Sequence, residues 1–341
     1  METASNVQVR EYNENLVRRE LLRARQATKP QLAAATGLSQ MTVASVITSL
    51  VEKGEVEAGR QVPSGGGRPS VEYRYLGGFR KAAVLYSYVR QGESFVRLRV
   101  CDLFGVCLYR DSRVFPVIRE DSFDRMLARA FENVEGIGAI ALGLPGQAVD
   151  GEIVSNDHPE LVGKQLLRRY EQLYGVPVRF VNDVNAVAWG RSLRSGSKGR
   201  KGETLAAFYF PQRYPPGMGL VLDGRLHTGH EGFTGELQYL PIGVDWPALD
   251  YRDGEAVAEA VAKLLCAVCA LVAPDRFLLY GECFRPDLAE VVRQRAEARF
   301  ANGYGMEVEA FQDLEPDYGE GMLALSLQTL KRSVFGGAWE E

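Results

Sequence analysis

The tightest constraint on the fold lies in residues 28–53, where three local signals mark out two helices joined by a short turn. Thr28-Lys29-Pro30-Gln31 reads as a capping box with proline in the first turn, where its missing N–H costs nothing. Gly37 follows the short helix 31–36 at the position that a left-handed C-cap requires. Ser39 is a good N-cap for a third helix running to about Lys53. Upstream, Leu16, Val17, Leu21 and Leu22 recur at helical spacing and predict a first helix over 13–25. Together these form a helix-turn-helix pattern.

In the third helix Val43, Val46, Ile47 and Leu50 share one face and should pack on the first two helices. The opposite face holds Met41, Ala44, Ser45 and Thr48, with Gln40 and Thr42 in the first turn. Gln and Ser can hydrogen-bond base edges, and a Met or Ala methyl can touch thymine. A solvated face on a small bundle would have the same composition, so the following segment matters. Residues 55–58 and 71–75 alternate as strands of a hairpin. Between them runs Pro63-Ser64-Gly65-Gly66-Gly67-Arg68-Pro69-Ser70, an arm of bare backbone with Arg68 as its one charge. Such an arm suits a narrow minor groove, where negative potential concentrates. The residues expected to meet double-stranded DNA are Gln40, Met41, Thr42, Ser45 and Arg68.

Charge agrees in sign. The chain of 341 residues carries a net −4, yet residues 1–80 carry +3 and the remainder −7. Only the head is suited to phosphate. No stretch of about 18 apolar residues predicts a membrane span. The polar N-terminus does not read as a secretory signal. Five cysteines fit a reducing compartment, the cytoplasm, better than a disulfide framework.

From residue 77 onward apolar strands alternate with amphipathic helices, the pattern of an α/β body. Strands are expected at 84–89, 94–102, 106–111, 137–144, near 153, 178–181, 204–210, 218–222 and 276–280. Helices are expected at 121–133, 164–174, from Asp183, and at 255–272, 286–300 and 321–332. The SGGGRPSVEYRYL arm, FVNDVNAVAWG at 180–190 and LDGRLHTGHEGFTGELQYLPI at 222–242 resemble the ROK family (repressors, open reading frames, kinases). That resemblance covers essentially the whole chain. It implies a winged helix-turn-helix over 1–76 and a two-lobed actin-like, ribonuclease-H-like body, with lobes 77–190 and 191–341. The C-terminal helix is expected to return to the first lobe. A homodimer or dimer of dimers is implied too.

The resemblance assigns ligand contacts to Gly146, Asn156, Asn182, Asp183, Glu236 and Tyr239, with Tyr239 where the family has a sugar-touching His. Asp183 occupies the place of the family's general base for a sugar hydroxyl. Read without the family, Asn182-Asp183 is equally a helix N-cap. Phosphoryl transfer also needs glycine-rich backbone around the triphosphate. The first such loop falls on residues 85–92, which lack paired glycines and any acid. The second falls on Arg213-Tyr214-Pro215-Pro216-Gly217, and the adenosine-side cluster is reduced to Gly281. These losses predict no catalysis and no cofactor. The family's cysteine-rich zinc run is missing from 243–255, and Glu255 is the one candidate for the glutamate that follows it. Cys266 and Cys269 lie in an apolar helix and read as core, and the pair His227 and His230 is too isolated to bind a metal, so no metal is expected.

The chain therefore reads as a DNA-binding regulator, a repressor, sensing a sugar or sugar phosphate in a degenerate kinase cleft. The alternatives are a ligand-independent DNA-binding dimer whose body serves dimerisation or protein contact, and an active ATP-dependent sugar kinase.

Overall fold

The computed structural model describes residues 2–64, 67–194, 202–301 and 304–335, without the side chains of residues 2–6, 64, 67 and 68. The head comprises α1 (Glu2–Ala24), β1 (Gln26–Thr28), α2 (Lys29–Thr36), α3 (Gln40–Glu52), β2 (Val56–Ser64) and β3 (Gly67–Tyr75). The local signals act as read. Thr28 and Gln31 form the reciprocal capping box, Gly37 closes α2 at φ 71°, and the Ser39 side chain accepts from Thr42 N–H. Val43, Val46, Ile47 and Leu50 are buried.

Three features depart from the sequence reading. Helix α1 begins at Glu2, eleven residues earlier than the apolar spacing indicated. That spacing reports only the turns that pack on the head, and the earlier turns have no apolar face to report. Strand β1 was not expected, since three residues carry too little pattern; it pairs antiparallel with β3 and gives a sheet ordered β1-β3-β2. The expected loop over 63–70 is instead mostly strand, with β2 reaching Ser64 and β3 starting at Gly67. Pro63, which has no N–H for the ladder, falls at a register shift between Val62 and Ser64.

The body opens with a meander, β4 (Lys81–Arg90), β5 (Glu93–Asp102) and β6 (Cys107–Phe115). It continues through α4 (Asp124–Asn133), β7 (Ile137–Leu144), the small hairpin β8 (Gln147–Val149) and β9 (Glu152–Ser155), and α5 (Leu166–Tyr174). Strand β10 (Val178–Asn182) runs straight into α6 (Asp183–Arg194). The second half repeats the plan with β11 (Leu205–Tyr209), β12 (Gly217–Leu222), β13 (Arg225–His227), α7 (Gly254–Val272), β14 (Arg276–Tyr280), α8 (Pro286–Glu297) and β15 (Glu307–Phe311). Helix α9 (Glu315–Phe335) ends the described chain.

The two sheets are ordered β10-β7-β4-β5-β6 and β13-β12-β11-β14-β15. In each, three antiparallel strands continue into two parallel ones, so the lobes share one topology. Strand β4 is buried over seven consecutive residues, as a strand covered on both faces must be. Strands β13 and β15 escaped the sequence reading because they are short edge strands with little apolar pattern.

Helix α9 starts six residues before the predicted position, because Gly319 and Gly321 resemble breakers. They are contact residues instead. A Cβ on Gly321 would stand 1.8 Å from Ala186 O, and one on Gly190 would stand 1.9 Å from Asp317 O. Helices α6 and α9 thus cross backbone to backbone. From there α9 runs along β4 and β7 and buries Leu330 and Phe335 among head residues Val17, Leu21, Ile47 and Tyr75. The head core is therefore continuous with the body. No single helix among the described residues is long and apolar enough to cross a membrane.

Candidate functional site

Two surfaces hold the residues singled out by the sequence. The first is the outer face of α3. Met41 is 79% exposed, and Gln40 and Ser45 are also exposed. Among the described residues none of these three side chains makes a hydrogen bond, so their bonding capacity is open to a partner. Thr42 is different: its hydroxyl lies 2.9 Å from Ser39 Oγ and belongs to the cap. Arg68 lies on β3, and its side chain is outside the described residues.

The second surface is a cleft of about 500 Å³ between the lobes. The turn joining β4 to β5, the segment 116–118, Pro145, Asp157-His158-Pro159, Asp183, residues 209–214, Gly281-Glu282 and residues 312–314 line it. Asp183 sits in the first turn of α6 and accepts from Val184 N–H at 2.8 Å. Burial, then the nearby Glu236 carboxylate, pushes its pKa up to about 6 against the pull of backbone donors. Asp157 has no hydrogen-bond or ion-pair partner among the described residues. Burial, Asp183 and Glu236 raise it to about 7. His158 is buried, lies 3.2 Å from Ser87 Oγ through Nε2, and is pushed down to about 4 by burial. It is neutral at pH 7.

The remaining ligand candidates frame this cleft without lining it. Asn156 Nδ2 donates to Pro145 O at 2.6 Å, and Asn182 Nδ2 donates to Gly146 O at 3.0 Å. Gly146 stands at φ 88°, where a Cβ would lie 2.0 Å from Ser155 O. Glu236 accepts from Gln147 Nε2 at 3.0 Å, a bond across the two lobes. Tyr239 is 66% exposed and stacks on Phe233 with ring centroids 5.6 Å apart. Sequence reasoning missed Asp157, His158, Ser87 and Tyr209. Asp157-His158 directly follows Asn156, so that adjacency was the available signal; nothing marked Ser87 or Tyr209 before the strands were paired.

The β4–β5 turn, where the family's first phosphate loop would fall, is a tight hairpin without paired glycines. Gln91 at φ 50° and Gly92 at φ 78° make a two-residue turn of the mirror-image type. That turn is bonded to the opposite lobe: Gln91 N donates to Glu282 at 2.7 Å, and Arg90 pairs with Asp313 at 3.2 Å. The lining has four carboxylates, Asp157, Asp183, Glu282 and Asp313, against Arg90 and the exposed Arg213. With Asp157 partly protonated near pH 7 and Arg90 paired with Asp313, the lining offers a triphosphate no surplus of positive charge. Among the described residues no group of three or more His, Cys, Asp or Glu is placed to hold a metal. Cys269 lies on α7 and is buried in the core, with Cys266 of the same helix packed against that core.

The model of the ROK family matches residues 113–248, from the end of β6 through the Glu236 region. A crystal structure of a ROK family transcriptional regulator, a homolog of the E. coli MLC protein, superposes over 94% of this chain and 96% of its own. The TM-score is 0.60 at 15% identity. Over residues 113–248 the chain is similar to the ROK family. Its α/β body has the actin-like, kinase-type core fold of that family. A ROK hexokinase from Thermus thermophilus shares the fold over 74% of this chain and 99% of its own, with a TM-score of 0.57 at 20% identity. In sequence the chain is 24% identical over 257 residues to the xylose repressor of Bacillus subtilis (strain 168). That match covers 72% of this chain and 65% of the repressor, slightly under two thirds of the relative's length.

Proposed function

We propose that this protein is a DNA-binding transcriptional regulator of the ROK type, acting as a repressor, whose cleft senses a sugar-like ligand and does not phosphorylate it. The observation that carries the reading is the division of labour on α3. Its inner face is fully committed to the head core, while Gln40, Met41 and Ser45 are exposed and unbonded at its N-terminal half. In this reading α2 and α3 form a helix-turn-helix over a winged head, residues 1–76, and β2 and β3 form the wing, with Arg68 at its tip. The lobes are 77–190 and 191–341. Two copies of the chain pair so that two heads meet a two-fold operator. The similarity to a xylose repressor supports the regulatory reading.

The cleft supports ligand sensing without kinase chemistry. Asp183 is placed to accept from a sugar hydroxyl, whereas the tight turn at Gln91-Gly92 and the acidic lining oppose ATP. A ligand can act on the head through α9, whose first turn adjoins the cleft and whose last turn lies in the head core. Such coupling requires the ligand to favour one placement of the heads over another. A second reading, a cleft kept only for structure, draws support from the Asn156 and Asn182 amides, both spent on backbone carbonyls.

A thermal-shift screen with sugars, sugar phosphates and ATP with Mg²⁺ separates the readings. Ligand sensing predicts a clear rise in Tm with one carbohydrate and none with ATP. No shift with any sugar favours the second reading, and sugar-dependent ATP turnover lost in Asp183→Asn would restore the kinase.

A further inference from the structure

Two of the five cysteines face each other across the β5–β6 hairpin, outside both surfaces described above. Cys101 pairs directly with Cys107 in the antiparallel register, beside a register shift at Val100. Asp102 N donates to Val106 O at 3.0 Å, and the Asp102 carboxylate receives Phe104 N at 2.9 Å and Val106 N at 2.8 Å. The 102/106 pair is therefore the hydrogen-bonded one, and 101/107 belongs to the alternate class, whose Cα atoms stand about 4.5 Å apart with side chains closest. That spacing lies within the roughly 4.4–6.8 Å a disulfide needs. The Cys107 thiol donates to Tyr109 O at 3.3 Å.

We propose that Cys101 and Cys107 form a reversible intramolecular disulfide by exchange with a small disulfide such as oxidised glutathione. The two sulfurs are unequal in the way a sensor pair requires. Cys107 is partly exposed, and its sulfur accepts from Arg110 Nε at 3.3 Å, an accessible and electropositive setting. Cys101 is buried, and burial followed by the Cys107 sulfur pushes its thiol up to about 12. Cys107 is thus the attacking group and Cys101 the resolving one.

In the first step the Cys107 thiolate attacks one glutathione sulfur. The S–S bond breaks, and the departing glutathione thiolate takes up the proton that Cys107 lost. In the second step the Cys101 sulfur attacks Cys107 Sγ in the mixed disulfide and its proton passes to the second glutathione. The protein loses two hydrogens, and one glutathione disulfide becomes two thiols.

The location gives the bond a consequence. The turn it closes, 103–105, is one of the body's contacts with the head. Leu103 N donates to Gly77 O at 3.1 Å, and Leu103 lies in the head core. The Arg25 guanidinium sits 4.0 Å above the Phe104 ring. A disulfide here fixes the strand ends on which the head rests.

The test is tryptic mapping of the full chain, folded and treated with excess oxidised glutathione. Residues 100–110 fall in one peptide carrying both cysteines. The expected product is that peptide lighter by two hydrogens and restored by dithiothreitol. In Cys101→Ala the same peptide should stop at one added glutathione. Recovery of the wild-type peptide with two free thiols, or with glutathione retained on Cys107, overturns the proposal. The wild-type readout does not depend on the variant folding.

Discussion

Head and body reach their folds by different physics. In the head both ends of α2 and the start of α3 are fixed by residues a few positions away: Thr28 with Gln31, Gly37, and Ser39 with Thr42. Those local devices leave the outer face of α3 free of structural duty. In the body the sheets join distant segments, such as β4 to β7 and β11 to β14, and the cleft is built from side chains that also hold the lobes together. Gln147 to Glu236, Gln91 to Glu282 and Arg90 to Asp313 all cross it. A functional surface on the head can therefore change without cost to the fold, whereas the residues that cross the cleft cannot.

The sharpest break in that comparison is Gly321→Val. A side chain there meets Ala186 O and must part α6 from α9, costing about 3 kcal/mol or more. Because α9 also ends in the head core, head and body should lose stability together in calorimetry. Separate melting of an unperturbed head would deny the continuity of the two cores. Next in size is Gln40→Glu with Ser45→Glu, which places two carboxylates on the exposed face of α3. DNA affinity should fall about 100-fold, roughly 2.7 kcal/mol, with Tm within a degree or two of wild type.

Asp157→Asn probes the cleft side. The raised pKa means that folding disfavours the ionised carboxylate, so its contribution to stability is lost as pH rises from the ordinary carboxylate range through about 7. The variant should melt several degrees higher than wild type at pH 8, with the gain fading toward pH 4. A gain independent of pH would locate the effect elsewhere. His158 runs the other way: held near 4, it withdraws stability as pH falls below its ordinary value. Smallest is Thr28→Ala, which removes the reciprocal cap and should cost about 1 kcal/mol in chemical denaturation.

What the sequence made readable follows the same division. The caps and inward faces of α2 and α3 involve neighbours in the chain, and each could be read from residue types alone. Continuous apolar runs marked β4 and β7 for the same reason. Strand β1 and the early start of α9 could not be read, because what decides them is a partner more than forty residues away: β3 for Gln26–Thr28, and Ala186 for Gly321. In the cleft, Asp183 stood out through its family motif. Asp157 matters because it is buried with Asp183 and Glu236 near it in space, and Ser87 because β4 brings it to His158.

The outer face of α3 is the proposed reader of DNA. Selection of duplexes from a random library by the full chain, followed by affinity titration at two salt concentrations, tests it directly. The expected result is an enriched two-fold sequence, bound far more tightly than unselected duplex, with discrimination lost when Gln40→Glu is combined with Ser45→Glu. No enriched sequence, or equal salt-sensitive binding to every duplex that survives those substitutions, would contradict it.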